Sequence, residues 1–359
     1  GQSAYSRGEV LVEDGLLIVH TNAFTAANGV GSVGTLTLAH PGSLLENHVG
    51  TDSLKIGGGL GSQGSLYRSS GLAVLRQLLI GEAGYGYVEV GPARLIISNN
   101  LYIPNAVAAG TGTGRMVIAS AQALVTVTQT LSRVGSGQAG NTGAYGELIV
   151  SNGTFQSQAL EVGGVSAGML HIGAATVTVF STGGNGLKIG HGAGTGRVVL
   201  AHSGALLDIP GAELWVGGLN AGGEGHLIIS NGLAVVGFLQ TCRANGKFGH
   251  VDIHDGSLIV LTNAFLGNSA NSTSLVELTH PRSLLTVSNG PVNVGVYSNS
   301  LSTLVLSNGT MVSKSMGVGS STLAGPGMVA NLFIYNATNL ITETSVATDA
   351  LSIGGRVAA

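Results

Sequence analysis

The densest group of residues that could do chemistry lies in one short stretch near position 250. It contains His250, Asp252, His254 and Asp255, and the alternation of polar with apolar residues sends the first three side chains outward from a strand. Carboxylates and a base on one exposed face could serve as general acid and base in the cleavage of a polysaccharide. This group is the best candidate for a catalytic site in the chain.

A copy of this stretch near the beginning of the chain favours a different interpretation. Residues Gly8–Phe24 match Gly249–Phe265 at eleven positions. The positions of the four polar residues hold Glu9, Leu11, Glu13 and Asp14 in the earlier copy. Such differences are typical of variable surface positions on a repeated strand. We therefore predict that these residues are not catalytic and that the chain is not an enzyme.

A histidine recurs at one position of a repeated phrase. The phrases are Leu38–Leu45, Leu200–Leu207 and Leu278–Leu285, and the histidines are His40, His202 and His280. A residue that returns at one place in successive repeats is more often part of a turn than a metal ligand. We predict turn histidines and no metal site.

Cys242 is the only cysteine, which excludes an intrachain disulfide and a site built from several cysteines. We predict that it behaves as a small buried apolar residue.

Glycine-rich stretches resemble nucleotide and calcium motifs without meeting their requirements. Gly59–Gly64 and Gly135–Gly140 fit Gly-x-Gly-x-x-Gly, but a nucleotide phosphate needs a helix after the glycines, and a strand pattern follows here. Calcium-binding repeats place an aspartate after the glycines. Gly183–Leu187 and Gly222–His226 end in leucine and histidine instead. We predict no cofactor.

Four stretches fit the acceptor pattern for N-linked glycans, and they begin at Asn152, Asn271, Asn308 and Asn336. The same pattern arises by chance in chains rich in turn residues, so glycosylation stays open.

The stretch Gly146–Gly164 shows which elements must position these residues. It holds three short strand signals, separated by the turn cluster Ser151–Gly153 and by further polar residues. Each strand offers only two or three inward apolar side chains. One such unit cannot bury its own apolar face, so it needs a similar unit above and below.

The chain supplies these units. Openings with an apolar alternation after a glycine recur every 22 to 32 residues, which predicts about thirteen coils. They begin at Gly8, Gly34, Gly64, Gly86, Gly114, Gly146, Gly168, Gly196, Gly225 and Gly249, and less clearly near Thr273, Leu301 and Gly327. Many units close on an apolar residue and a glycine, such as Ile56–Gly57, which suits a sharp corner with positive φ. We predict an all-β parallel β-helix, or β-solenoid, that is right-handed.

A longer period groups the coils in threes. Matching phrases divide the chain into blocks at 8–85, 86–167, 168–248 and 249–326, with a partial block at 327–359. We expect one solenoid over 1–359. Neither end shows a polar capping coil, so we expect either a longer protein or ends that are covered by other subunits.

Composition narrows the partners. The chain has 60 glycines among 359 residues, 9% charged residues and a net charge of -3. This balance gives no basic surface for nucleic acid or an anionic membrane. Apolar runs are too short for a membrane span, which needs roughly 18 residues.

The phrases Leu148–Gly153, Leu227–Gly232 and Leu304–Gly309, with their Val-Gly closings, resemble the glycine-rich repeats of autotransporter passenger-type bacterial surface proteins. The resemblance implies export, a β-solenoid stalk and a role in adhesion or a surface layer. We expect this sequence to depart from autotransporters in having no C-terminal membrane barrel, so the resemblance does not show how the protein is anchored.

We therefore expect a structural subunit of an extracellular fibre or surface layer at the cell surface, which associates with copies of itself head to tail. Surface glycans are a further expected partner. The alternative is a β-helix that binds or cleaves carbohydrate. An exposed aromatic stripe would favour it, but the only tryptophan, Trp215, lies in an apolar strand pattern.

Overall fold

The computed structural model confirms an all-β chain of parallel strands stacked as a β-solenoid. It describes residues 3–19, 24–47, 53–104, 111–137, 142–181, 183–218, 222–319, 327–342 and 350–354. No helix occurs in these residues, and so none could cross a membrane. The right-handed sense stays a prediction. Contacts divide the chain into two compact units, Gly1–Val179 and Phe180–Ala359.

The first unit contains eighteen of the described strands. They are β1 (Arg7–Val12), β2 (Leu16–Ile18), β3 (Phe24–Ala26), β4 (Val33–Leu38), β5 (Leu44–Asn47), β6 (Leu54–Ile56), β7 (Gln63–Arg68), β8 (Leu72–Leu75), β9 (Leu78–Ile80), β10 (Tyr85–Val90), β11 (Arg94–Ile97), β12 (Leu101–Ile103), β13 (Thr113–Ile118), β14 (Leu124–Val127), β15 (Ser132–Val134), β16 (Tyr145–Ser157), β17 (Leu160–Val162) and β18 (Ala167–Val179).

The second unit contains the other thirteen described strands. They are β19 (Gly183–Ile189), β20 (Thr195–Val216), β21 (Glu224–Thr241), β22 (Phe248–Ile253), β23 (Gly256–Val260), β24 (Ala264–Leu266), β25 (Thr273–Leu278), β26 (Leu284–Val294), β27 (Leu301–Ser307), β28 (Thr310–Val318), β29 (Val329–Tyr335), β30 (Thr338–Ile341) and β31 (Leu351–Ile353).

Each turn begins with one strand that carries the opening residue of the coil, and these opening strands pair in parallel from one turn to the next. The first unit contains six such pairs, from β1–β4 to β16–β18, and the second contains five, from β20–β21 to β27–β29. This gives about eleven turns in the described residues. The prediction of about thirteen coils is slightly high. A turn is complete where its opening strand pairs with the opening strand of the following turn. The opening strands β18 and β29 are the last in their units, so neither completes a turn there.

The glycines that open the coils form one column in each unit. Gly86, for example, pairs with Gly64 on one side and Gly114 on the other. A Cβ on Gly86 would lie 2.3 Å from the backbone nitrogen of Gly81 and the carbonyl oxygen of Ile56. The column is therefore glycine because the corner of the neighbouring turn packs directly against it.

The less clear openings of the last coils continue the same column with other small residues, Ser274, Ser302 and Ala330. The hydroxyl of Ser274 lies 2.6 Å from the hydroxyl of Thr241, and both residues are buried. The sequence pattern weakens there because a serine or alanine replaces the glycine.

The glycines predicted at corners adopt the left-handed backbone conformation. Gly57 has a φ of 73°. The glycines of the other apolar-glycine closings also have positive φ, and they are Gly81, Gly135, Gly163, Gly190, Gly217, Gly295, Gly319 and Gly354. Two corners carry other residues, Ala27 with a φ of 65° and Cys242 with a φ of 57°. Left-handed backbone costs an L-residue about 1 kcal/mol or more, which explains why glycine dominates.

One predicted turn is part of a strand. Ser151–Gly153 lies inside β16, which runs without interruption from Tyr145 to Ser157. The ladder with β18 continues through the corner, because Asn152 pairs with Ala174 and Gly153 with Ala175. The backbone thus bends at Gly153 without losing its pairing to the next turn.

The core fills the interior of each unit. Inward positions of the strands hold Leu, Ile and Val side chains that are almost all fully buried. Cys242 is also fully buried, as predicted, and burial raises the pKa of its thiol to about 12. Some inward positions hold buried polar residues, such as Asn47 and Ser157, and one inward position of β7 holds a charged residue, Arg68, which is 1% exposed.

Candidate functional site

The structure separates the four polar residues near position 250 into two pairs. His250 and Asp252 point outward from β22, and both are half-buried. His254 and Asp255 lie in the bend that follows the strand. Each pair has its own partners on the next turn of the second unit.

His250 is paired with a carboxylate. Its Nε2 lies 3.0 Å from Oε2 of Glu277, which is in register with Asp252. The ring of His226, on the preceding turn, lies 5.8 Å from that of His250. Burial, followed by the proximity of His250, lowers the pKa of His226, while Glu224 acts in the opposite direction. His250 and Glu277 thus form a contact between successive turns.

Asp252 contributes one unusual atom. Its Oδ1 is buried and has no hydrogen-bond partner in the described part of the chain. No group of three or more His, Cys, Asp or Glu side chains among the described residues has the geometry to hold a metal ion.

The second pair is held by the following turn. Nδ1 of His280 lies 3.4 Å from Oδ1 of Asp255, and the guanidinium of Arg282 contacts the same carboxylate. Nδ1 of His254 lies 3.2 Å from the hydroxyl of Thr279. These contacts join two turns at a corner.

The recurring histidines form hydrogen bonds within turns, as the repeats predict. Nδ1 of His202 accepts a hydrogen bond from the backbone N–H two residues later, at 2.9 Å, and His40 and His280 do the same at 3.4 and 3.3 Å. His40 also lies 3.2 Å from Asp14, which matches the pair formed by His280 and Asp255. The same corner is thus built in both units.

The glycine-rich stretches lead into strands. After Gly59–Gly64 the chain continues in β7, and Gly222–His226 leads into β21. Residues 138–140 of the stretch Gly135–Gly140 lie outside the described residues. The described parts therefore provide no helix N-terminus for a phosphate.

The acceptor asparagines lie at bends and in a strand. Asn271, Asn308 and Asn336 have φ values of 52°, 70° and 53°, and Asn152 lies in β16. Asn308 accepts a hydrogen bond from the side-chain amide of Asn336 at 3.4 Å. Glycosylation stays a prediction.

An aromatic surface that the sequence analysis missed covers part of the first unit. Tyr67, Tyr85, Tyr87 and Tyr145 project from the outer side of β7, β10 and β16, and we call this surface the tyrosine face. Tyr67, Tyr85 and Tyr145 are 38%, 41% and 38% exposed. The rings of Tyr67 and Tyr87 lie 5.8 Å apart with their planes tilted by 54°.

Charged groups accompany the tyrosine face. The hydroxyl of Tyr87 donates a hydrogen bond to Glu89 at 2.8 Å, and Arg115 forms an ion pair with Glu147 at 3.2 Å. Burial, followed by the hydrogen bond to Glu89, raises the pKa of Tyr87 to about 12. Burial likewise raises the pKa of Tyr145. Both phenols therefore remain neutral hydrogen-bonding groups.

A shallow hollow lies beside Tyr85. Its volume is about 210 Å³, and polar side chains and glycines line it. The lining residues are Gly61, Ser62, Gln63, Ala83, Gly84, Tyr85, Thr111 and Thr113.

The sequence does contain a signal for this surface. Tyr85 and Tyr145 each precede an opening glycine, so an alignment of the openings places them in one column. Their separation along the chain hides this relation until the register of the turns is known.

The tryptophan of the second unit is covered. Trp215 is 3% exposed, with the guanidinium of Arg243 4.0 Å and the ammonium of Lys188 4.9 Å from its ring centre. Glu213 accepts hydrogen bonds from the indole and, at 2.7 Å, from Arg243. In this arrangement Trp215 presents little surface to a ligand.

No family model, curated protein or solved structure matches the chain.

Proposed function

We propose that the chain is a non-enzymatic structural subunit of an extracellular fibre or surface layer, which associates with copies of itself end to end. The observation that carries this proposal is the pairing of outward charged groups between successive turns. In the first unit Lys55 contacts Glu82 at 2.9 Å and Arg133 contacts Glu161 at 2.8 Å. In the second unit Arg243 contacts Glu213 at 2.7 Å.

This pairing suits a structural role. A single partly exposed ion pair contributes little stability, about 0–1 kcal/mol. The pairs nevertheless occupy carboxylates and bases that acid–base catalysis would need at a substrate. The pairing of His250 with Glu277 and of Asp255 with Arg282 extends this pattern to the best catalytic candidates.

Exposed apolar residues at two strand edges support the proposed self-association. Val10 of β1 is 40% exposed, whereas Leu36, its register partner in β4, is fully buried. In the second unit Ile334 of β29 and Ile353 of β31 are 46% and 74% exposed. A strand from a second copy that added in parallel would cover these side chains and pair the open backbone groups.

An assay against polysaccharides tests the non-enzymatic part. The protein is incubated with a panel of neutral and acidic polysaccharides, and newly formed chain ends are measured. We expect no product. Cleavage that is lost in Asp252→Ala or Asp255→Ala would overturn the proposal and place the protein among the lyases or hydrolases.

Sedimentation and electron microscopy test the self-association. Val10→Lys places a charge at the edge that a second copy must cover, and we expect it to abolish filaments. Glu9→Lys changes the charge at the neighbouring outward position of the same strand, so filaments should remain. A protein that stays monomeric at high concentration would contradict end-to-end association, and so would filaments that Val10→Lys leaves unchanged.

A further inference from the structure

We propose that the tyrosine face binds a neutral, β-linked polysaccharide of the cellulose or chitin type, with the sugar chain running along the stacking direction of the turns. This binding goes beyond the structural role and does not depend on it.

The spacing of two rings supports an extended sugar chain. Tyr85 and Tyr145 belong to one outward column, with Thr113 in register between them. Neighbouring strands lie about 4.8 Å apart, so two turns separate the two tyrosines by about 10 Å. In an extended β-linked chain alternate sugars face the same way, and two sugar units span about this length. Alternate units can therefore meet Tyr85 and Tyr145.

The chemistry of the face suits such sugars. Sugars of this class carry equatorial hydroxyls, so their ring faces are lined by C–H groups that pack on aromatic rings. Their hydroxyls project sideways and need donors and acceptors. Arg115 and Glu147 lie in the neighbouring outward column, and their side chains are 44% and 20% exposed. They can donate to and accept from hydroxyls at the edge of the sugar chain.

The hollow beside Tyr85 gives the surface some depth. At about 210 Å³ it is smaller than the roughly 300 Å³ at which pockets begin to enclose drug-sized ligands. The side chains of Gln63, Thr111 and Thr113 offer an amide and hydroxyls there. A hollow of this size and polarity fits a single sugar unit or one of its substituents.

The charges of the face favour a neutral polysaccharide. The guanidinium of Arg115 is already paired with the carboxylate of Glu147 at 3.2 Å. Glu89 adds a second carboxylate next to Tyr87. An acidic polysaccharide would meet repulsion from these carboxylates, and the charge of Arg115 is already balanced by Glu147.

Binding to insoluble cellulose and chitin, followed by calorimetry with soluble oligosaccharides of each, tests the proposal. We expect binding to at least one of these β-linked polymers and none to α-linked starch or dextran. Tyr85→Ala and Tyr145→Ala should each weaken binding about tenfold, and the double variant should abolish it, because each removes one stacking surface. Circular dichroism and the thermal midpoint verify that each variant is folded.

Tyr335→Ala is the matched control. Tyr335 is 56% exposed but lies in β29 of the second unit, so its loss should leave binding unchanged. Failure to bind any β-linked polymer would overturn the proposal, as would equal binding to starch or an equal loss in Tyr335→Ala. A change in oligomeric state on Tyr85→Ala, without any sugar binding, would instead show that the face contacts protein and would also overturn it.

Discussion

Arg68 occupies a position that apolar residues fill on both neighbouring turns. Its register partners are Leu38 and Val90, and both are fully buried. Nη2 of Arg68 donates to the carbonyl oxygens of Arg94 at 3.2 Å and Ser70 at 3.4 Å, but Nε and Nη1 have no partner among the described residues. Burial lowers the pKa of this guanidinium to about 10. A charged group is thus held in the core, and no carboxylate of the described residues pairs with it.

We predict that Arg68→Leu stabilises the protein by about 1–4 kcal/mol, as expected when a buried charge is replaced by a well-packed apolar residue. The pKa of Arg68 is lower in the folded state than the ordinary 12.5. The cost of charging it is therefore fully present below about pH 10 and decreases only as the pH rises from there towards 12.5. Urea unfolding near neutral pH should show the whole gain.

Arg94→Leu is the control for this change. Arg94 begins β11 and its side chain is exposed, so the same substitution should alter the unfolding free energy by no more than about 0.5 kcal/mol. A loss of stability in Arg68→Leu would show that the two hydrogen bonds of Arg68 outweigh the cost of burying its charge.

Two glycines separate the effect of backbone conformation from that of crowding. Gly61 and Gly81 have φ values of 63° and 74°, but a Cβ on Gly61 meets no atom within 4 Å, whereas one on Gly81 would lie 2.1 Å from the carbonyl oxygen of Thr113. We expect Gly61→Ala to cost about 1 kcal/mol. Gly81→Ala should cost at least about 2 kcal/mol more, because backbone must move. Equal losses in urea unfolding would contradict the role assigned to close packing at the corner.

The corner glycines could be predicted from the sequence because their neighbours repeat. Arg68 could not, since nothing in the sequence says whether a single arginine in an apolar column remains inside or turns the strand outward. The tyrosine face was missed for another reason. Tyr67 and Tyr87 become neighbours only through the register of β7 and β10, which the alternation within one strand does not reveal.

At the scale of elements, the contacts around Trp215 tie three strands of the second unit together. Lys188 is in β19, Trp215 and Glu213 are in β20, and Arg243 follows β21. Glu213 also accepts a hydrogen bond from Gln240 of β21 at 3.2 Å. One carboxylate and one ring thus connect consecutive turns on the outer side of the solenoid.

We predict that Arg243→Ala shifts the emission of Trp215 to longer wavelength, because water replaces the guanidinium over the ring. The change should also lower the unfolding free energy by about 1–2 kcal/mol, as both the cation–π contact and the hydrogen bond to Glu213 are lost. Since Trp215 is the only tryptophan, the emission reports this site alone. Arg197→Ala removes an exposed arginine from the same strand, β20, and should leave the emission unchanged. An unshifted spectrum in Arg243→Ala would show that other groups cover the ring.

The ends of the elements were harder to predict than their existence. The strand signals correctly predict parallel strands, but some strands are much longer than the short runs of the pattern, and the cluster Ser151–Gly153, which predicts a turn, lies inside one of them. In the structure the backbone bends there and keeps its ladder to β18. Turn composition predicts where the chain bends, whereas the continuation of pairing depends on the neighbouring turn.

At the scale of the molecule, the register makes whole turns exchangeable. Tyr85 occupies the place of Gln63 one turn later, so residues 63–84 form one complete turn. We predict that deletion of these 22 residues leaves a folded protein, because β10 can then pair with β4 as β7 does now. Circular dichroism should retain the β-sheet signal, and unfolding should remain cooperative.

Deletion of half that turn, residues 63–73, is the control. It would bring the remainder of β8 to the place where β7 now pairs with β4, and it would remove the opening glycine, Gly64, from its column. We expect this variant to be unfolded or aggregated. If both deletions fold equally well, the register does not determine the fold, and if neither folds, the turns are not exchangeable.

The parallel stacking of turns also determines how the protein should respond to force. Within each unit the backbone hydrogen bonds between turns lie along the stacking direction, so a pull in that direction loads the outermost ladder and peels one turn at a time. Each detached turn releases 22 to 32 residues. At about 3.3–3.6 Å for each extended residue, this corresponds to roughly 70–115 Å of new chain. Single-molecule stretching should therefore give a series of small, nearly regular extensions, so each unit would lengthen stepwise under load before it is fully unfolded.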